Sequence, residues 1–319
     1  MLSVAFHPSG NRVVSASADG TARIWSTEQV EGALFRGHGD EVESAVFSPD
    51  GTNVLTASDD GTARLWRSDG HQVTVLPGHE SYLTVATFAP SGDAILTAAW
   101  DGTALLWNRG EEEAWSPTKL QGHTAGIWTG LFSPDGRRVL TAAEDRTARL
   151  WDREGVLRAT LRHPRSIVAA AFSPDSRRIV TDGDRAAWIW GIDVSEIGSL
   201  TGHEVRVVAV AFSPDGSLLA TASWDGTARL WSADGVPVAV FEGHGDAVED
   251  AVFSPKGDLV LTASSDGIAR IFALDGTLKA SLAGHPRGIA VARFSPDGRY
   301  VVTAAGRIFG SPDATARLW

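Results

Sequence analysis

The chain has 319 residues, 43% of them apolar, and a formal charge of −11 with its basic residues spread along the whole length. That balance speaks against nucleic acid as a partner, because such binding needs Lys and Arg gathered against phosphate, and no apolar run approaches the ~20 residues that cross a bilayer as a helix. Cysteine is absent, which removes disulfides, thiolate zinc sites and thiol nucleophiles together. With no signal-peptide pattern in the opening MLSVAFHPSG, a cytoplasmic location is expected.

The predicted elements recur in chain order. Phe6, Phe47, Phe88, Phe132, Phe172, Phe212, Phe253 and Phe294 open phrases such as FSPDG, spaced 40 to 44 residues apart. The phrase ADGTARIW ends at Trp25, and related phrases end at Trp66, Trp107, Trp151, Trp190, Trp231, Phe272 and Trp319. His38, His79, His123, His163, His203, His244 and His285 each stand nine residues before the next such phenylalanine. A fixed period of this size means a repeat architecture. A catalytic histidine is normally singular, so this periodicity argues against catalysis at these positions.

Within the repeat spanning 38–79, Val42, Ser44 and Val46 alternate with Glu43, Ala45 and Phe47, which predicts a half-buried strand. SPDG at 48–51 is a turn, with proline fixing φ and Asp-Gly suiting a tight bend. Asn53 to Ser58 is a second strand, Asp59-Asp60-Gly61 a hairpin turn, Thr62 to Trp66 a third strand, and Val73 to Leu76 a shorter fourth. Four antiparallel strands per repeat, without helical periodicity, point to a propeller. Only the run Arg109 to Thr118 reads as disordered, and Glu111-Glu112-Glu113 inside it reads as a solvated charge run.

Gly-His, then FSPDG, then TASxDGTARLW resembles the WD-repeat (Trp-Asp repeat) β-propeller family over essentially the whole chain. The resemblance implies an all-β, eight-bladed propeller of four-stranded antiparallel blades in a single domain, 1–319, each repeat running from the outer strand of one blade into the three inner strands of the next. It also implies a hydrogen-bonded tetrad in each blade: His38, Thr56, Asp60, Trp66; then His79, Thr97, Asp101, Trp107; then His123, Thr141, Asp145, Trp151; and His203, Thr221, Asp225, Trp231. Indole can only donate, hydroxyl can relay, imidazole can do both and carboxylate accepts, so the four types make a satisfiable chain.

Other repeats depart from this set. The first has Ser15, Asp19 and Trp25 without a histidine. The unit of His163, Thr181, Asp184 and Trp190 is one residue short. Phe272 replaces tryptophan beside His244, Thr262 and Asp266, and the unit of His285, Thr303, Asp313 and Trp319 carries extra residues, Arg307 to Pro312. The repeats supply 31 strands, one short of eight complete blades. The last blade is therefore expected to lack its outer strand within this chain. The chain then reads as a fragment of a longer polypeptide, or as one whose open eighth blade is closed by another segment through strand exchange. The units can also be counted as seven blades and a spare.

Catalytic patterns fail. There is no Gly-x-Ser-x-Gly and no Gly-Lys-Ser/Thr loop, and His79-Glu80 and His203-Glu204 lack the second histidine of a zinc site. Asp182-Gly183-Asp184 offers too few oxygens for calcium and reads as structure. No catalytic residue, metal or cofactor is expected.

Function is then expected where the repeat varies. Positions three and five past each periodic histidine read Glu41 and Glu43, Tyr82 and Thr84, Gly126 and Trp128, Ser166 and Val168, Arg206 and Val208, Ala247 and Glu249, Gly288 and Ala290. The residue before the tetrad aspartate reads Ala18, Asp59, Trp100, Glu144, Trp224 and Ser265. The expected protein-binding top face is Glu41, Glu43, Asp59, Tyr82, Trp100, Trp128, Glu144, Arg206 and Trp224, an aromatic patch with an acidic rim. Asp59 should look outward, Trp188 should pack on a neighbouring blade, and Trp115 either anchors or folds back. The expected function is a non-catalytic scaffold for a protein or peptide with a basic surface, with no nucleic acid or membrane partner. The alternative is a regulatory module of a larger signalling protein, a kinase or a nucleotide-binding switch.

Overall fold

A computed structural model describes residues 3–28, 31–110, 114–305 and 315–319. Among the described residues are 31 strands and no helix. They form eight antiparallel sheets in which strands pair in chain order, seven with four strands and the last with three, Ile289–Phe294, Val301–Ala305 and Ala316–Leu318. In the second sheet the strands are Val42–Phe47, Asn53–Ser58, Ala63–Arg67 and Gln72–Leu76, within a residue of the expected bounds.

The turns explain why each repeat folds back on itself. The Asp60 carboxylate accepts from both the N–H (2.9 Å) and the hydroxyl (2.6 Å) of Thr62, an Asx turn that starts the third strand. Gly61 beside it has φ +79°, and a Cβ there would stand 3.1 Å from the His79 carbonyl. Only glycine suits both the angle and that approach.

The sheets fall into two compact units, Leu2–Arg162 and His163–Trp319. Within the first, Val42–Phe47 packs on Ser3–Phe6 and Arg12–Ala16. Leu83–Phe88 packs on Val42–Phe47 and Asn53–Ser58, and Ile127–Phe132 on Leu83–Phe88 and Ala94–Ala99. Within the second, Val207–Phe212, Val248–Phe253 and Ile289–Phe294 pack in the same way on the first two strands of the preceding sheet. Leu55 and Ala57 thus share a buried cluster with Leu83 and Ala86 of the following sheet. The sheets, their strand order and the three-stranded last member are the blades of an eight-bladed β-propeller.

Two expectations need correction. The simple alternation of Val42–Phe47 is broken, because Val42 pairs with Ser58 but Ser44 with Ala57, leaving Glu43 as a bulge; Val42, Ala45 and Phe47 are the buried ones. The run Arg109 to Thr118 is not disordered over its described part. Trp115–Leu120 is the outer strand of the third sheet, paired with Ala104–Arg109, and Trp115 folds back against the cluster of Leu65, Leu105 and Trp107. The Glu111-Glu112-Glu113 run lies outside the described residues.

Candidate functional site

The tetrads set the frame of the blades. In the second blade Trp66 Nε1–H donates to Thr56 Oγ1 (2.9 Å), so the threonine proton is left for His38 Nε2 (2.7 Å). The imidazole proton must then sit on Nδ1, which donates to Asp60 Oδ2 (2.9 Å). Burial disfavours the Asp60 charge, but the Thr62 hydroxyl, the Gly39 N–H and His38 outweigh it and hold the carboxyl down to about 2. The same chain joins His123, Thr141, Asp145 and Trp151, and His203, Thr221, Asp225 and Trp231.

The departures are as informative. In the third blade His79 Nδ1 turns to the Thr103 hydroxyl (2.8 Å), which passes its own proton to Asp101 (2.6 Å), while His79 Nε2 and Trp107 meet at Thr97. In the first, Trp25 donates to Ser15 (3.0 Å). In the seventh, His244 bonds Thr262 and Asp266, and Phe272 packs on Phe241 instead of donating. In the eighth, His285 and Trp319 meet at Thr303; Asp313 and the insertion Arg307 to Pro312 lie outside the described residues.

The fifth blade breaks the pattern. Trp190 and His163 meet at Thr181, but Asp184, at φ +94°, turns away to Arg165 (3.4 Å). His163 Nδ1 is left buried without a hydrogen-bond partner, burial pushes the imidazole down to about 4, and Trp188 closes over it edge-on at 5.0 Å. Asp182 stands where the other sheets carry a buried alanine, such as Ala57 or Ala222. Its Oδ1 accepts from the N–H groups of Val168 and Ala169 (2.8 Å each), and its Oδ2 is buried without a partner. Burial raises this carboxyl to about 7, against the pull of those N–H groups and of Arg206.

The variable positions are drawn together by backbone bonds within each blade. Asp59 N–H donates to Glu41 O (2.9 Å), Trp100 to Tyr82 (3.1 Å), Glu144 to Gly126 (2.9 Å) and Trp224 to Arg206 (3.0 Å). The residue five past the histidine is the bulged one: Glu43, Thr84, Trp128, Val208, Glu249 and Ala290 all fall at the register slip. A bulge re-aims the side chain of its extra residue, which is why this position leaves the sheet's in-and-out alternation.

In the first unit the rings meet. Tyr82 stacks on Trp100 (centroids 5.6 Å, 16° apart), and Trp128 meets Trp100 edge-on at 4.8 Å. Trp128 Nε1–H donates to Glu144 Oε1 (2.6 Å). Tyr82 and Trp128 keep 38% and 40% of their surface exposed. Gly126 makes room for the stack, since a Cβ there would reach the Trp100 ring at 2.5 Å. Gly126→Ala should therefore swing Trp100 out and weaken the Trp100–Trp128 coupling in near-ultraviolet circular dichroism, with the blade tetrads undisturbed.

Beside Tyr82 lie Glu41, Glu43 and Asp59, with one carboxylate oxygen of each within 4.8 Å of the others. Asp59 does not look freely outward; it is half-buried against Glu43. Burial, the Asp59 charge and a hydrogen bond between the two raise Glu43 to about 7. Burial and the charges of Asp40 and Asp60 raise Asp59 as well. Such a triad can hold a hard cation, but acid clusters at surfaces are common without one, and no metal is assigned here.

Arg206 and Trp224 belong to the second unit and are engaged there. Arg206 donates to the Ser166 hydroxyl (3.0 Å), and Trp224, 47% exposed, donates to Glu249 Oε2 (3.1 Å). Glu249 and Gly126 both stood at variable positions without being chosen from sequence. Their roles depend on a neighbouring blade's tryptophan, which no local pattern displays.

Antiparallel blades on a period near 40, most with a Trp-to-Thr-to-His bridge, define a tetrad-stabilised β-propeller. The family model described as WD domain, G-beta repeat matches residues 1–26, 30–67, 70–108, 115–152, 155–191, 194–232, 235–272 and 276–319, and the chain belongs to that family. A comparison with curated proteins found no match.

Proposed function

We propose that the protein is a non-catalytic scaffold that binds a protein or peptide partner through the face formed by Tyr82, Trp100 and Trp128. The observation behind this is the exposure of Trp128 although its indole N–H is already bonded to Glu144. The ring is held in place by the edge-on contact with Trp100 and the bond to Glu144 while much of its surface faces solvent. Rigid exposed aromatics of this kind carry most of the energy at interfaces. The carboxylates around them, and the charge of −11, favour a partner with a basic surface.

The test is selection of peptides on the full chain from a random display library, followed by affinity measurement on Trp128→Ala. The substitution should weaken selected binders by about tenfold or more. Undiminished affinity across the selected set would remove this face as the binding site.

A further inference from the structure

The Tyr82 end of the strip has a narrower chemistry than protein or peptide. Tyr82 rests on Trp100 on one side and is still 38% exposed. Its hydroxyl feels the charges of Asp59 and Glu43, which resist its ionisation after burial does. The ring and carboxylates are neighbours, since the strand of Glu43 packs on Leu83–Phe88 and a Cβ on Gly61, two residues past Asp59, would stand 3.5 Å from the Ser81 carbonyl next to Tyr82; Glu144 adds a further acid at the Trp128 end. Aromatic faces attract cations through the ring quadrupole. A guanidinium suits such a surface best, because it is planar, stacks on a ring and presents paired N–H donors to carboxylate oxygens, whereas an ammonium is a compact hydrated point charge.

We infer that this strip seats an arginine side chain of an extended partner segment, its guanidinium lying over Tyr82 and donating to the Glu43 and Asp59 carboxylates. The inference rests on the peptide-binding reading above and names its partner chemistry.

A proton is coupled to this event. Burial and the neighbouring Asp59 charge push Glu43 up to about 7, so below that pH Glu43 holds a proton beside Asp59 in the free protein. The titratable groups around the pair are Glu41 on the same link, Asp40 and Asp60 acting on Asp59, and Tyr82 from the third sheet. Asp60 is occupied by His38. An arriving guanidinium takes the place of the Glu43 proton, which leaves to solvent. Binding therefore tightens as pH rises. Below the raised value of about 7 for Glu43, each unit of lowered pH weakens binding by up to about tenfold, and above it the dependence flattens.

The probes are capped Ala-Arg-Ala, Ala-Lys-Ala and Ala-Leu-Ala peptides titrated into the full chain, with the indole Nε1–H resonances of Trp100 and Trp128 followed by NMR. The arginine peptide should saturate in the millimolar range, more tightly than the lysine peptide by about threefold or more, and the leucine peptide should not saturate. Affinity for arginine should climb from pH 6 to pH 8. The Glu43→Gln/Asp59→Asn double variant should lose both the binding and its pH dependence, with amide resonances elsewhere unmoved as the check on folding. Unchanged arginine binding in that variant overturns the inference, as does absence of saturation by the arginine peptide. If arginine and leucine peptides bind alike and Trp128→Ala removes both, the arginine assignment falls while the peptide-binding face stands. If library binders ignore Trp128, the face itself falls.

Discussion

Thr141→Val is expected to destabilise the fourth blade by about 2–6 kcal/mol, because the change leaves two buried polar groups bare at about 1–3 kcal/mol each. Valine keeps the shape of threonine but loses the oxygen on which Trp151 Nε1–H (2.9 Å) and His123 Nε2 (2.8 Å) converge. Thr141 is fully buried and Trp151 nearly so, so water cannot replace the lost partner. The seventh blade supplies the control. Thr262 bonds His244 (2.7 Å), but Phe272 has no N–H to strand. Thr262→Val should therefore cost less, by about 1–2 kcal/mol, the share of one indole donor. A chain of two compact units need not unfold in one step, so the readout is local. Amide exchange protection in Thr147–Asp152 should fall further after Thr141→Val than protection in Ile268–Ala273 falls after Thr262→Val. Equal losses would refute the account of the tetrad as an obligate donor–acceptor chain.

Asp182→Asn is expected to stabilise the protein at alkaline pH and to flatten its stability profile. Burial pushes the folded carboxyl up to about 7 from the ordinary aspartate value of 3.8. The folded state thus holds a proton that the unfolded chain has released. The contribution is fully present below the unfolded value, is eroded as pH rises, and is gone once pH passes the folded value. The whole loss is on the order of 4 kcal/mol. Asparagine cannot ionise, yet its side-chain oxygen can still accept from Val168 and Ala169. Alanine, the residue of the other blades, would strand both N–H groups and should lie below asparagine by about 2 kcal/mol or more at every pH. Melting temperature across pH 4 to 9 separates the three proteins. Glu43, also raised to about 7, contributes with the same sign, so Glu43→Gln is the background in which to compare them. An Asn variant whose profile runs parallel to the parent's would show that Asp182 is not the titrating group.

The fold was legible because its causes are local and repeated. The phenylalanine period, the Asp-Gly turns and the alternating runs placed the strands of the second sheet to within a residue, and the Trp-to-Thr pairing that the family resemblance implies is the one indole and hydroxyl can make. The meeting of Tyr82, Trp100 and Trp128 was legible too, since register alone carries those positions to adjacent blades.

What sequence could not show arises where two blades press together or one residue slips. A bulge at Glu43 and at Trp128 changes where a side chain points without changing any local pattern. One missing residue in the fifth hairpin sends Asp184 to Arg165, strands His163 Nδ1 and gives Asp182 a pair of N–H groups to hold. Asp59 read as a free surface acid and is instead half-buried against Glu43, because the sheet register brings the two together and burial pushes both carboxyls up. Composition, period and turn chemistry by themselves determined the blades and the frame of hydrogen bonds. The direction of individual side chains and the protonation of buried carboxyls were decided only by tertiary structure, since both depend on distances and desolvation between residues far apart in the chain.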